Sequence, residues 1–224
     1  MRSLKTVASD VSLVHAVTAE LEFDPRVDAS RIRVAAKDGA VALSGFVTSY
    51  PQKWAAVQAA ERIHGVRAVA DDIEVVLAQS VRRKDAEIAA EIARERVWNT
   101  AIPAAVEVEV SNGDVTLRGE VEWSYQREEA AHAVRHLEGV RGVSNLVTLR
   151  PRDEPDAAAV EDRIEEAIGR MADLDARSVW VTADDGAVRL HGTVRSVAER
   201  RIAQRAAESA PGVTSVENDI VVAP

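Results

Sequence analysis

Hydrophobic and polar residues alternate in three short segments of this chain, and each segment predicts a β-strand that is buried on one face. The interleaved positions are mostly polar, among them Arg33, Glu107 and Thr182. A period of two with β-branched residues is typical of a strand with one face in a core and one in solvent. The apolar positions are Ile32, Val34 and Ala36, then Val106, Val108 and Val110, then Val179, Val181 and Ala183.

Each predicted strand runs into an Asp-Gly or Asn-Gly pair, which is followed by a second alternating segment. Residues 38–47, 112–121 and 185–194 read DGAVALSGFV, NGDVTLRGEV and DGAVRLHGTV. These residue pairs accept the positive φ angles of a two-residue turn, so each predicts a tight hairpin. Equivalent glycines recur after 74 and then 73 residues, which makes the chain three copies of one module. The repeated glycines are Gly39, Gly45, Gly65, Gly113, Gly119, Gly139, Gly186, Gly192 and Gly212.

A helical period flanks each hairpin. Leu13, Val17 and Leu21 recur every four residues before the first hairpin, and alanine dominates one face of the segment after it. We interpret the alanine face, set opposite Gly45, as a helix that lies close to the sheet, and Gly65 as the residue that ends this helix. The predicted class is therefore α+β, with three tandem αββαβ modules at residues 10–77, 84–150 and 159–222. Each module is expected to be a three-stranded sheet with two helices on one face and the other face open.

The net charge of −9 is unevenly distributed and argues against a nucleic-acid partner. Residues 1–78 hold 9 basic and 10 acidic residues, residues 79–151 hold 10 and 12, and residues 152–224 hold 9 and 15. An acidic chain without a basic stripe is a poor electrostatic match for DNA or RNA. Contact with an anionic bilayer is expected only from the first two copies.

The N-terminal segment has basic residues but no apolar run behind them, so we do not expect a secretory signal. No stretch approaches 18 apolar residues, so no transmembrane segment is predicted. These patterns predict a cytoplasmic protein that is at most peripheral to a membrane.

Residue patterns of enzymes are missing from the sequence, which predicts a non-enzymatic protein without cofactor or metal. There is no cysteine, no Gly-x-Ser-x-Gly elbow, no phosphate loop and no dinucleotide fingerprint. His132 and His136 have the spacing of a helical metal site, but the equivalent positions elsewhere hold Gln58, Arg62, Arg205 and Ser209. We interpret the two histidines as part of a solvated helix face.

Aromatic residues differ between the copies and are the candidates for a binding surface. Trp54 aligns with Glu128 and Arg201, so we expect it to be exposed. Rings beside a cation suit a membrane interface or the centre of a protein interface. Packing between modules is a third interpretation, and it applies above all to Phe46 and Trp180. The two candidate clusters are Tyr50, Lys53 and Trp54, and Trp123, Tyr125 and Arg127.

The αββαβ order and two sequence runs resemble the BON domain. The first run is Gly-x-Val-x-Leu-x-Gly-x-Val on the hairpin, and the second is Gly-Val-x-x-Val-x-Asn after the second helix, as at residues 139–145. Asp71 replaces the asparagine in the first copy. BON domains are found in bacterial osmotic-stress and envelope proteins, and the resemblance implies stress protection by binding phospholipid membranes or partner proteins. Under this implication the two aromatic clusters are the expected contact sites.

Overall fold

The computed structural model describes residues 4–98, 103–150, 157–171 and 178–223, which form three modules of one architecture. The first module comprises α1 (Leu4–Phe23), β1 (Ile32–Lys37), β2 (Ala40–Val47), α2 (Tyr50–Arg62) and β3 (Ala68–Val75). The second comprises α3 (Asp85–Trp98), β4 (Val106–Ser111), β5 (Asp114–Val121), α4 (Ser124–Arg135) and β6 (Gly142–Leu149). The third comprises α5 (Ala157–Gly169), β7 (Val179–Asp184), β8 (Ala187–Val194), α6 (Val197–Glu208) and β9 (Ser215–Val222). The predicted αββαβ order and the α+β class are confirmed.

Each sheet has the second strand of its module in the middle. In the first module β2 pairs antiparallel with β1 and parallel with β3, and Leu43 lies between Val34 and Asp71 in register. The hairpin turn has φ angles of 53° at Asp38 and 82° at Gly39. Positive φ at both central residues is the geometry that the Asp-Gly and Asn-Gly pairs predict.

The reason why β2 requires a glycine at position 45 differs from the predicted one. Gly45 has a φ of 124°, and a Cβ atom built on it would lie 2.1 Å from the carbonyl oxygen of Arg31. Gly119 and Gly192 meet the backbone before β4 and β7 in the same way. The prediction that these glycines admit a helix is therefore wrong, because the group that approaches them is the neighbouring backbone of the same hairpin.

The alanine face of the second helix packs on the sheet as predicted. Ala56, Ala59 and Ala60 of α2 are fully buried in the core of the first module. Small side chains let the helix axis approach the sheet, and Gly65, with a φ of 85°, follows the end of the helix as predicted. The second and third modules have equivalent cores of their own.

The second helices of the three modules contact one another head to tail, so that the modules close into a ring. The start of α2 meets the end of α4, the start of α4 meets the end of α6, and the start of α6 meets the end of α2. Apolar contacts reinforce two of these junctions, since Tyr50 packs against the core of the second module and Val197 against that of the first. The polar pairs at the three junctions are Trp54 with Arg135, Ser124 with Ser209, and Arg201 with Glu61.

Candidate binding surface

The first predicted cluster lies at the start of α2, where the first module meets the second. Tyr50 is half-buried, its hydroxyl group donates to the carbonyl oxygen of Val143 at 3.5 Å, and burial raises its pKa above the ordinary value. The guanidinium group of Arg135 stacks 4.0 Å from the centre of the Trp54 ring. The expected exposure of Trp54 is therefore wrong, because the second module covers the ring.

Lys53 is engaged within its own module. Its Nζ donates to the carbonyl oxygen of Ile73 at 2.6 Å and lies 3.2 Å from a carboxylate oxygen of Asp71. Asp71 takes the place of an asparagine in the repeat, and the asparagine side chains bond to local backbone. Asn145, for example, donates to the carbonyl oxygen of Arg127 at 2.7 Å. Each of these side chains ties the last strand of a module to its second helix.

The second predicted cluster is divided by the structure. Trp123 is 40% exposed and Tyr125 is 62% exposed, so both rings face solvent. The side chain of Gln126 holds the start of α4 in place by accepting hydrogen bonds from the amides of Glu122 and Trp123, both at 3.1 Å. Arg127 does not join the two exposed rings but forms an ion pair with Glu208 of the third module.

The two exposed rings border an open cleft of about 740 Å³. Pro103 contributes apolar surface to the cleft, and Glu120 and Arg150 form an exposed ion pair at its edge, with 2.9 Å between Nη1 and Oε2. This surface combines aromatic rings with mixed charge. It therefore suits contact with an amphipathic surface better than binding of a single charged ligand.

Comparison with known proteins identifies the family. The model of the BON domain matches residues 9–76, 84–151 and 156–224. The chain belongs to the BON domain family. Osmotically-inducible protein Y of Escherichia coli (strain K12) is 33% identical to it over 121 residues. This match covers 51% of the present chain and 60% of that protein, so it leaves a large part of the relative unmatched.

Two solved structures of CdsD, a structural protein of the type III secretion system of Chlamydia trachomatis, also resemble the three-domain BON chain. One is 16% identical and covers 95% of this chain and 93% of its own, with a TM-score of 0.27. The other, the C-terminal domain, is 15% identical and covers 96% and 98%, again with a TM-score of 0.27. These scores are too low to bear on the fold or function of the BON protein.

Two further aromatic residues, Phe46 and Trp180, lie on the open sheet faces of the BON domains. Phe46 lies under the guanidinium group of Arg31 at 5.0 Å, and Trp180 stacks on His191 with ring centres 6.0 Å apart. Both rings are partly or mostly exposed. Packing between the domains thus involves Tyr50 and Trp54 rather than these two rings.

The histidine pair of the second BON domain lies on an exposed helix face, as the sequence predicted. The rings of His132 and His136 are 5.0 Å apart, and partial burial, then the neighbouring His132, lower the pKa of His136. Within the described ranges, no three His, Cys, Asp or Glu residues are grouped to hold a metal ion. Within the same ranges, no helix has the length and apolar character needed to cross a bilayer.

Three of the residues that join the BON domains, Glu61, Arg135 and Glu208, were not singled out from the sequence. One repeat position is occupied by Glu61, Arg135 and Glu208 in the three domains. Their contact partners in the neighbouring domains are, in the same order, Arg201, Trp54 and Arg127. The signal that points to them is a helix position seven residues after Trp54 whose charge changes sign between copies. A charge reversal of this kind is easily taken for ordinary surface variation.

Proposed function

We propose that this protein is a non-enzymatic binding protein of osmotic or general stress protection that contacts phospholipid membrane surfaces. The observation that carries the proposal is the exposed pair Trp123 and Tyr125 on the second BON domain. The name of the Escherichia coli relative, osmotically-inducible, supports the stress role. The family match supports binding rather than catalysis.

The two rings have the chemistry of a membrane interface. Tyrosine and tryptophan combine an apolar body with a polar tip, which favours the headgroup level of a bilayer. If roughly 120 Å² of their exposed surface leaves water, at ~25 cal/mol per Å², the gain is about 3 kcal/mol. A gain of this size gives weak, reversible and peripheral contact.

The positive charges of Lys53 and Arg127, which the sequence placed in the two contact clusters, are less available to lipid phosphate than expected. Lys53 is paired with Asp71, and Arg127 is paired with Glu208. Electrostatic attraction to lipid phosphate therefore has to come from other cations of the chain. Contact by the aromatic rings alone is expected to respond little to salt, because salt screens charges and not apolar contact.

A protein partner is the competing function, and the open sheet faces favour it. Phe46 and Trp180 are exposed on two such faces, and aromatic residues are the typical anchors of protein interfaces. In that case the protein is a scaffold without a lipid role.

Co-sedimentation with vesicles distinguishes the two functions. The purified chain is mixed with phosphatidylcholine vesicles, with and without phosphatidylglycerol, at low and physiological salt. We expect Trp123→Ala combined with Tyr125→Ala to lower vesicle affinity about tenfold or more, because both apolar anchors are lost. Trp180→Ala is the matched control and should bind like the wild type.

Two results contradict the lipid proposal. Wild-type protein that binds no vesicle in any condition moves the function to a protein partner. Equal losses in the double variant and in the Trp180→Ala control show that the rings at α4 have no special role. The predicted cytoplasmic location is tested separately by fractionation of cells that produce the untagged chain.

A further inference from the structure

A second cleft lies where the first BON domain meets the second, and it is rich in positive charge. It has a volume of about 600 Å³ and lies between the end of β3, the linker and the hairpin of the second domain. Its apolar side is formed by Val75, Val76 and Leu77. Its cations are Arg82, Arg83, Lys84 and Arg141.

The charge of this cleft is opposite to that of the whole chain. Its lining holds four cations and one acidic residue, Asp85, in a protein with a net charge of −9. The Asp85 carboxylate is already used, because it accepts hydrogen bonds from the amides of Asn112 at 2.8 Å and Gly113 at 2.9 Å. The hairpin amides are thus satisfied internally, and an anion in the cleft must be recognised by side chains.

Two of the four cations hold the linker in place. Arg83 forms an ion pair with Glu138 and donates to the carbonyl oxygens of Ser80 and Arg82, both at 3.1 Å. The Nε of Arg82 donates to the carbonyl oxygen of Leu77 at 3.2 Å. These bonds fix the linker against the end of β3, and they shape the wall of the cleft.

The other two cations have no ligand of their own. Lys84 and Arg141 are exposed, and within the described ranges neither side chain forms a hydrogen bond or an ion pair. Arg67 occupies the repeat position of Arg141 in the first domain, and its Nε donates to the carbonyl oxygen of Val222 at 3.3 Å. The same residue type thus closes one junction of the ring and leaves the other junction open.

We propose that this cleft binds a phosphate group, with Arg141 and Lys84 as the principal ligands. The planar guanidinium group can donate two parallel hydrogen bonds to phosphate oxygens, and the ammonium group adds a compact charge beside it. Val76, which is 45% exposed, and Leu77 add apolar surface to the lining of the same cleft. A phosphate carried by an amphipathic molecule fits this combination.

The phosphate can come from a lipid headgroup or from solution. The lipid source rests on the proposed function, and it would supply the cations that the aromatic pair lacks. The free source does not depend on that function. Because recognition is by exposed side chains, binding should weaken as salt screens the charges.

The test uses the full chain with two double variants of matched charge. Lys84→Gln with Arg141→Gln removes the two ligands, and Arg33→Gln with Lys37→Gln removes one Arg and one Lys from the exposed face of β1. Calorimetric titration with inorganic phosphate should show binding to the wild type and the control variant. The ligand variant should bind about tenfold more weakly or worse, because two charge-assisted hydrogen bonds are lost.

Vesicles containing phosphatidic acid separate the two sources. Loss of vesicle affinity in the ligand variant, with the control unchanged, supports a lipid phosphate in the cleft. Phosphate binding in solution without vesicle binding by the wild type supports the free source, and the proposed membrane function then fails while the cleft inference stands.

Three outcomes overturn the cleft inference. The first is a wild type that binds no inorganic phosphate and whose vesicle binding depends on Trp123 and Tyr125 but not on Lys84 and Arg141, which leaves the proposed function intact. The second is equal weakening in the ligand variant and in the control. The third is a wild type that binds neither inorganic phosphate nor vesicles, in which case both proposals fail.

Discussion

The ion pair between Glu61 and Arg201 joins the first and third BON domains, and its removal tests the closed ring. Nη1 of Arg201 lies 2.5 Å from Oε2 of Glu61. The Glu61 side chain is 8% exposed and that of Arg201 is 49% exposed. Substitution of Arg201→Gln therefore leaves a buried carboxylate without its cation.

The expected loss lies between two limits. Breaking a fully buried pair by removal of one partner costs about 3–5 kcal/mol, whereas an exposed pair contributes about 0–1 kcal/mol. Because solvent screens half of Arg201, we expect the free energy of unfolding to fall by about 1–3 kcal/mol at neutral pH. Glu61→Gln combined with Arg201→Gln removes the buried charge as well, and it should restore much of this loss.

The loss should depend on pH with a definite sign. Burial raises the pKa of Glu61, and the charge of Arg201 opposes that rise. A carboxyl group with a higher pKa in the folded state than in the unfolded state holds its proton more tightly when folded. Its favourable effect on folding is present below the unfolded pKa and is lost as pH rises through the folded pKa. Without Arg201 the folded pKa rises further, so the deficit of the variant should grow toward neutral pH and shrink in acid.

Urea unfolding followed by circular dichroism, at neutral pH and near pH ~4, measures both effects. Arg205→Gln is the control on the same helix, since Arg205 is exposed and should change stability by less than about 0.5 kcal/mol. An Arg201→Gln variant as stable as this control at neutral pH, or a deficit that does not shrink in acid, refutes the reasoning.

Two further substitutions test the packing of the first domain. Gly45→Ala should lower the free energy of unfolding by about 2–4 kcal/mol, because the new Cβ atom would lie 2.1 Å from the carbonyl oxygen of Arg31 and because residue 45 has a φ of 124°. Gly169→Ala is the control. Its Cβ atom would meet no atom within 4 Å, so this variant should not be destabilised. Ala59→Leu should cost about 1–3 kcal/mol through overpacking between α2 and the sheet, seen as a lower urea midpoint, and an unchanged midpoint would show that the helix does not lie close to the sheet.

The candidate surface was only partly predictable. The aromatic rings of the two predicted clusters lie at the starts of α2 and α4, and their role as a contact surface stays a prediction. The sequence could not show that Tyr50 and Trp54 face the second domain while Trp123 and Tyr125 face solvent. The starts of α2 and α4 are equivalent within their own domains, and the difference arises because a tyrosine meets an apolar core at one junction and Ser124 meets Ser209 at another.

The cationic cleft shows the same limit. Arg82, Arg83 and Lys84 are adjacent in sequence, in the segment between β3 and α3. Arg141 lies more than fifty residues away and reaches them because its turn packs beside the linker. No periodic pattern connects these residues, so their shared charge becomes visible only after folding.

The sequence by itself determined what depends on near neighbours along the chain. Positive φ at Asp38 and Gly39 is a property of those residues, and the alternation in β1 decides which strand face is buried. The tertiary structure alone decided how the three domains meet. That arrangement rests on pairs such as Glu61 with Arg201 and Trp54 with Arg135, whose members lie far apart in the chain and differ at every junction. A pattern that repeats can reveal the module, but contacts made by residues that do not repeat determine the ring.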